Sequence, residues 1–432
     1  MKAGSWFVLG IVATTVSWLY MHRILGPWEY YHDVQHGTLK AQLGDLYSPW
    51  TGTRELLLYG KNPYGDDVTR KIQLAFYGHA IQQNYDSPQV VDEQRFAYPI
   101  YVVPLLAPTV HCDFDQLQAW APVVLASMIG VSVFLWLRSM GQRRSIIWTL
   151  ALILFVLSSP QLIQGLQLQQ LGLFVAFLLA LATWCNSGGH SFVAGGLLAL
   201  STIKPQMVVL CVAWFLIWAV ADLHKRWPMV AGFATTLGML VGVSELLLRG
   251  WLRLFMGALV AYTRYVRTPS PIRLMLGNWV GGVVSVVLLI VVLMFAWKNR
   301  EVAASSAAFH RVLAGILIVS TLVIPPIPIF NQVLLILPVI LLLIRWRELP
   351  VWGQMVFSAL VASCYVISIV MLLHPSDLVS PRSLPLLPRA PALVFPFAVL
   401  VLFLLSPASK AAANQLAADT EGCSTAEASD AG

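Results

Sequence analysis

Residues 277–297 read GNWVGGVVSVVLLIVVLMFAW, and the chain turns basic directly afterwards at Lys298 and Arg300. An uncharged apolar run of about 20 residues is what a helix needs to cross a bilayer. Comparable stretches recur near 5–22, 118–137, 145–159, 171–186, 192–203, 207–221, 229–247, 312–325, 333–344, 351–373 and 391–405. The composition agrees, with 58% of residues hydrophobic and 11% charged, where soluble domains carry roughly a quarter charged. The expected fold is therefore an all-α polytopic membrane protein with about twelve spans, occupying residues 1–405. The first run is long and no small-x-small site follows it, so it reads as a retained span and not a cleaved signal. From Ser406 to the end the sequence is small, polar and acidic, which predicts a disordered cytoplasmic tail over 406–432.

Charge fixes the expected orientation, because short cytoplasmic loops collect Lys and Arg. Arg138, Arg143 and Arg144 follow the second run, Lys225 and Arg226 the sixth, Lys298 and Arg300 the eighth, Arg345 and Arg347 the tenth. All are even-numbered exits, so one assignment serves them all: both termini cytoplasmic, in a plasma membrane, with 23–117 outside. The net charge of +7 is scattered between apolar runs, which is no nucleic-acid footprint. Five cysteines without a CxxC argue against a disulfide framework. No P-loop, dinucleotide glycine pattern or nucleophile elbow occurs, so no nucleotide cofactor is expected.

The outer loop holds more than half of the acidic residues. Two short helices are predicted inside it. One runs from about Pro49 to Tyr59 and stops at Gly60. The other starts at an Asp66 cap, turns Val68, Ile72, Ala75 and Phe76 to one side, and ends at Gly78. Residues 98–108 are apolar but too short and proline-rich to span, which suggests a re-entrant piece. Internal repeats of the kind many secondary transporters carry are not evident.

Several constellations have the residue types that chemistry needs. Asp45 follows the first span in an aromatic loop, where partial desolvation raises a carboxylate's pKa toward that of a useful base; a turn or cap role is the alternative. His32, Asp33 and His36 imitate a two-histidine metal helix, but no third ligand is identifiable and no metal is assigned. Lys204, in the run STIKPQ, can snorkel or hold a lipid phosphate. Gln161, Gln164, Gln167, Gln169 and Gln170 crowd one outer turn, with Asn331 and Gln332 on the same side; such amides bond a sugar or one another. Arg249, Arg253, Arg264, Arg267 and Arg273 share an outer loop with Trp251, Tyr262 and Tyr265, suited to anionic head groups or a departing phosphate.

Taken in order, DLYSPWTGTRELLLYGKNPYG (45–65), RFAYPIYVVPLLAP (95–108), QGLQLQQLGLF (164–174), AGGLLALSTIKPQ (194–206) and PPIPIFNQVLLILP (325–338) resemble glycosyltransferase family 87. The resemblance implies a polytopic enzyme of the C-type glycosyltransferase fold, similar to mannosyltransferases that draw on polyprenyl-phosphate sugars at the outer face of a bacterial membrane. It places the family's acid on Asp45, with Asp33 as the runner-up nearer the first span. The turn after the first loop helix falls on Gly60, Pro63 and Tyr64. The glutamine of a glycine–glutamine element falls on Gln170, here preceded by Gln169, and a lysine–proline element on Lys204 and Pro205. Tyr47, Arg54, Asn62, Tyr64, Gln167, Gln170, Lys204, Gln206, Arg264, Asn331 and Gln332 complete the expected binding set.

The implied reaction is transfer of a hexose, mannose by the resemblance, to a lipid or glycan acceptor. Inversion is expected from a single base, by a monomer that needs no cofactor. The competing reading is a transporter or flippase, which would put charge near the midplane. Only Glu245 lies clearly inside a run. An oligosaccharide polymerase or ligase would carry its large loop late in the chain, and here it follows the first span.

Overall fold

The computed structural model describes residues 3–25, 27, 43–82, 91–266, 269–325, 329–373 and 389–406. His32, Asp33, His36, Arg267 and the expected tail from 407 onward lie outside these residues. Among the described residues there are helices and no strand. In chain order they are α1 (Ala3–Tyr20), α2 (Tyr47–Tyr59), α3 (Asp66–Tyr77), α4 (Phe114–Ser139), α5 (Ile146–Leu157) and α6 (Pro160–Gln167). Then come α7 (Leu171–Ser187), α8 (Ser191–Ser201), α9 (Pro205–Ala221), α10 (Leu223–Leu247), α11 (Trp251–Tyr265) and α12 (Pro271–Leu276). The series closes with α13 (Asn278–Lys298), α14 (Ala307–Val323), α15 (Ile336–Ile344), α16 (Val351–Leu373) and α17 (Arg389–Leu405).

Each apolar run read from the sequence contains a helix, but their lengths differ from the expectation. Four described helices are long and apolar enough to cross a bilayer: Gly4–Ile24, α4, α10 and α13. A fifth arises if α5 and α6, bent by 64° at their junction, count as one. The others are shorter apolar helices, so the count of twelve spans is not established by length alone. The bend has a local cause. Pro160 cannot donate to the preceding turn and its ring crowds it, while Ser159 Oγ accepts the Leu162 N–H at 3.4 Å and starts a new helix.

Two close crossings hold the bundle where side chains would keep helices apart. On α8 and α10 a Cβ at Gly195 would run into the Met229 carbonyl, and one at Gly232 into the Phe192 carbonyl. Small residues at such crossings let backbones touch, which is how helices associate where lipid supplies no hydrophobic drive. On α1 and α5, Gly10 faces Ala151 and Leu154, and Thr14 Oγ1 donates to the Leu154 carbonyl at 3.2 Å.

The bundle has two ends of different chemistry. At one, Arg226 donates to the carbonyls of Arg300 at 2.8 Å and Glu301 at 2.8 Å while lying over the Trp218 ring. Ser187 Oγ donates to the Ala304 carbonyl, and buried His310 joins Ser139 Oγ at 3.0 Å. These contacts gather the basic loops after α4, α9 and α13. At the opposite end lie the α6–α7 and α8–α9 turns and the segment 43–109.

That segment is built as expected, with one correction. Gly60 and Gly78 close α2 and α3 with φ of 65° and 75°, the left-handed conformation glycine adopts freely. The cap of α3 is Gly65, however, and Asp66 with Asp67 occupies its first turn, where carboxylates favour the positive end of the helix dipole. Val68, Ile72 and Phe76 are buried. Buried Glu55 is held by Lys71 and, at 3.1 Å, by Lys61. Burial alone would raise its pKa; the two lysines outweigh that and hold it below the usual carboxylate value. Trp50 Nε1 donates to the Thr109 carbonyl at 3.2 Å, Ser48 Oγ to Gln94 at 3.2 Å and Tyr77 to Asp92 at 2.6 Å. The short helical turns over 100–109 bury Ile100, Val102 and Val103.

Candidate active site

Leu168 closes the turn after α6, and Asp45 closes the turn before α2. The Asp45 N–H donates to the Leu168 carbonyl at 2.9 Å, which locks the two turns together. The pairing works because Gly44, at φ 62°, has no side chain to strike Gln169 and the Leu168 carbonyl. Gln169 itself sits at φ 47°, a left-handed conformation costing a non-glycine residue about 1–2 kcal/mol. This is the position where the resemblance expects glycine, so the backbone keeps the shape although the residue has changed.

Past that turn, Gln170 is completely buried. Its Nε2 donates to Asp45 Oδ2, and its Oε1 accepts from Lys204 Nζ at 2.8 Å. Charge dictates this amide orientation, since the reverse would face an N–H to the ammonium and an oxygen to the carboxylate. The result is a line from carboxylate through amide to ammonium, supplied by the loop after α1, the start of α7 and the start of α9. Lys204 is buried and lies 5.2 Å from the Phe330 ring centroid. Gly172 makes room beside it, because a Cβ there would meet Met207 Sδ and approach Lys204 Nζ.

The electrostatics follow from crowding. Asp45 keeps an exposed face, while protein surrounds its other sides. Burial raises its pKa to about 6, Lys204 pulls it down, and Asp92 pushes it up. Burial lowers the Lys204 pKa to about 8 against the opposing pull of Asp45. The phenols of Tyr98 and Tyr262 also feel the Asp45 charge; burial first, and that charge second or third, hold their protons above the usual range. Asp92 and Tyr98 were given no role from sequence, and Tyr262 was named only as an aromatic beside the outer arginines. Tyr262 is far in the chain from the other two, and only the folding of 91–98 and α11 toward Asp45 brings them together.

A separate small cleft opens at Asn331 and Gln332, the residues that follow Phe330. Gln206, Ser320, Thr321, Asn331 and Gln332 line it, with Ile324 and Pro325 as apolar wall. Gln161 Nε2 donates to Gln332 Oε1 at 3.2 Å, while Asn331 Oδ1 is buried without a hydrogen-bond partner.

The remaining expected residues stand elsewhere. Tyr47 packs edge-on to Phe114 at 4.8 Å and to Phe76 at 5.6 Å. Arg54 lies over the Trp50 ring, and Asn62 Oδ1 accepts the Tyr64 N–H at 3.0 Å. Tyr64 donates to the Tyr98 carbonyl at 2.6 Å and so buttresses the site from behind. Gln167 ends α6, and its carbonyl accepts from Gln169 Nε2. Arg264 is exposed at the end of α11, as are Arg249, Arg253 and Arg273 in that region. Glu245 lies in the last turn of α10, where Oε1 accepts the Gly250 N–H at 2.8 Å; its role there is to close a helix end. Among the described residues no three His, Cys, Asp or Glu side chains gather as metal ligands.

Compared with known families, residues 96–326 match the family model described as glycosyltransferase family 87, more than half of the chain. Gln170, Lys204 and Tyr98 lie inside that span, and Asp45 precedes it. No curated protein matches the chain.

Proposed function

Because this chain belongs to glycosyltransferase family 87 and is an integral membrane protein by its apolar helices, we propose that it moves a hexose from a polyprenyl-phosphate donor to a lipid or glycan acceptor. The observation that carries this reading is the Asp45–Gln170–Lys204 line. Asp45 is the general base. Its pKa near 6 leaves it ionised at neutral pH yet basic enough to take a proton from an acceptor hydroxyl in the transition state. Gln170 occupies Oδ2 and leaves Oδ1 to the acceptor.

Lys204 receives the donor phosphate. Its resting partner is a neutral amide oxygen, which an anionic phosphate replaces with a stronger, charge-assisted bond. The leaving group is then a phosphate held by an ammonium, so departure needs no general acid. One base acting opposite one leaving group predicts inversion at the anomeric carbon. In this reading the site end faces outward and the basic loops at the other end face the cytoplasm, with both termini there and about twelve apolar segments in or across the bilayer. Mannose is the sugar the resemblance favours.

The test is a transfer assay. Purified protein in lipid nanodiscs is given radiolabelled polyprenyl-phospho-hexoses and a membrane lipid extract. The expected result is label on a new lipid or glycan with the opposite anomeric configuration. Movement of the donor across the bilayer without transfer would overturn the proposal.

A further inference from the structure

Residues 248–277 join α10 to α13, two helices long and apolar enough to cross a bilayer. They lie at the end of the bundle that carries Asp45, whose charge reaches Tyr262. The link therefore starts and finishes where the apolar core of a membrane gives way to water. Trp279, 82% exposed in the first turn of α13, marks that depth, because tryptophan favours the interface. Gly250, at φ 69°, turns the chain out of α10 and into α11.

The two faces of α11 differ. One carries Trp251, Phe255, Ala258 and Tyr265 and is buried against the protein, with Trp251 edge-on to Tyr101 at 5.8 Å. The other leaves Leu252, Met256 and Val260 more than half exposed, at the four-residue spacing that keeps side chains in one stripe. Arg253 stands exposed beside that stripe, Arg249 exposed just before the helix, and Arg273 exposed in α12 next to open Leu274 and Met275. No Asp or Glu occurs in the chain between Glu245 and Glu301. Water suits the arginines and not the stripe, and a protein core suits the stripe and not the arginines. One leaflet of a bilayer suits both, with acyl chains against the stripe and phosphates against the guanidinium groups. Topology gives these cations no other reason, since short loops on the outer side are ordinarily poor in arginine.

We propose that the exposed face of α11, with Arg249, Arg253 and Arg273, is a docking surface for anionic phospholipid of the surrounding leaflet. The lipid phosphates bond the guanidinium groups, and the acyl chains cover Leu252, Met256 and Val260. This surface faces away from the side of α11 that packs on the protein and turns Tyr262 toward Asp45, so the lipid held there is a partner and not a substrate.

The test reads lipid contact at Met256. Full-length protein carrying Met256→Cys, in a background without native cysteines, is labelled with bimane and placed in phosphatidylcholine nanodiscs. Trace doxyl-labelled phosphatidylglycerol or doxyl-labelled phosphatidylcholine then serves as quencher. At equal mole fraction the phosphatidylglycerol probe is expected to quench about twofold more strongly or better, because each cation near a surface favours anionic lipid. Arg249→Gln, Arg253→Gln and Arg273→Gln together should abolish that excess, and the matching lysine variants should keep it. Should the glutamine combination melt early in detergent, Arg253→Gln alone decides, with part of the excess lost. A bimane at Met239→Cys, on the exposed face of α10, should show no preference. No quenching at Met256 by either probe would place the helix in water. Equal quenching by both, an excess that survives the glutamine variants, or the same excess at Met239 would remove the selection by these arginines. Each of these results overturns the surface. No sugar or donor enters the measurement, so they leave the transfer reading standing.

Discussion

Asp45 and Lys204 are bridged by one amide, so their protonation states bear on catalysis from opposite sides. A base must be ionised: with its pKa raised to about 6 by burial, Asp45 loses activity as pH falls through that value. A phosphate-binding ammonium must be protonated: with its pKa lowered to about 8 by burial, Lys204 loses donor binding as pH rises past that value. The expected kcat/KM profile is a bell with limbs near 6 and 8. Lys204→Arg should remove the alkaline limb and keep part of the donor binding, whereas Lys204→Ala should lose it. A flat profile across this range, or an alkaline limb that survives in Lys204→Arg, would contradict the assignment. The sequence made Asp45 and Lys204 visible as unusual residues but not as partners. The link is Gln170, whose buried position follows from a turn held by a left-handed Gln169 and a side-chain-free Gly44. Periodicity carries no signal for a glutamine in that conformation. Tyr98 and Tyr262 stayed hidden for a related reason, because in sequence they are two aromatics among many.

At the scale of elements, helix stops were legible where glycine acts on its own backbone. Gly60 and Gly78 end helices in the left-handed conformation, whereas the start of α6 at Pro160 was not read. The Asp66 cap was misread because Gly65 takes the extended conformation at that position, and a carboxylate in the first turn looks the same from sequence. In sequence the third apolar run ends at 159 and the glutamines beyond it read as a turn, where the chain instead forms a second helix, α6, bent 64° from α5. That bend aims Gln161 and the following turn at the site. The crossing of α8 and α10 makes the sharpest demand on packing. A leucine at Gly232 has no room against the Phe192 carbonyl, so Gly232→Leu must separate the helices. Overpacking of this kind costs about 1–3 kcal/mol. A melting temperature measured in detergent should fall clearly for Gly232→Leu and stay near wild type for Gly238→Leu, whose surroundings are open. Equal melting temperatures would show that the crossing does not bear load.

Over the whole molecule, three of the four basic loops read from the sequence, those after α4, α9 and α13, are gathered by the contacts Arg226–Arg300, Ser187–Ala304 and His310–Ser139 at the end away from Asp45. The number of spans was less legible, because a short apolar helix and a crossing one have the same composition. Orientation can be tested directly in a background without native cysteines. Ala80→Cys, exposed beyond α3, should react with impermeant maleimide in intact cells, and Arg143→Cys, exposed after α4, only after lysis. The opposite pattern would turn the site toward the cytoplasm.

The central claim is that one carboxylate takes the acceptor proton while the donor is held elsewhere. The direct measurement is single-turnover transfer by Asp45→Asn beside donor binding by the same protein. Asparagine keeps the shape and can still bond Gln170, but it cannot take up a proton. Loss of a general base costs about 10² to 10⁴ in rate, so transfer should fall by that order with donor affinity little changed. Asp33→Asn, the other acid near the first span, should cost far less. Full transfer by Asp45→Asn, or a dead Asp33→Asn beside an active Asp45→Asn, would contradict the account.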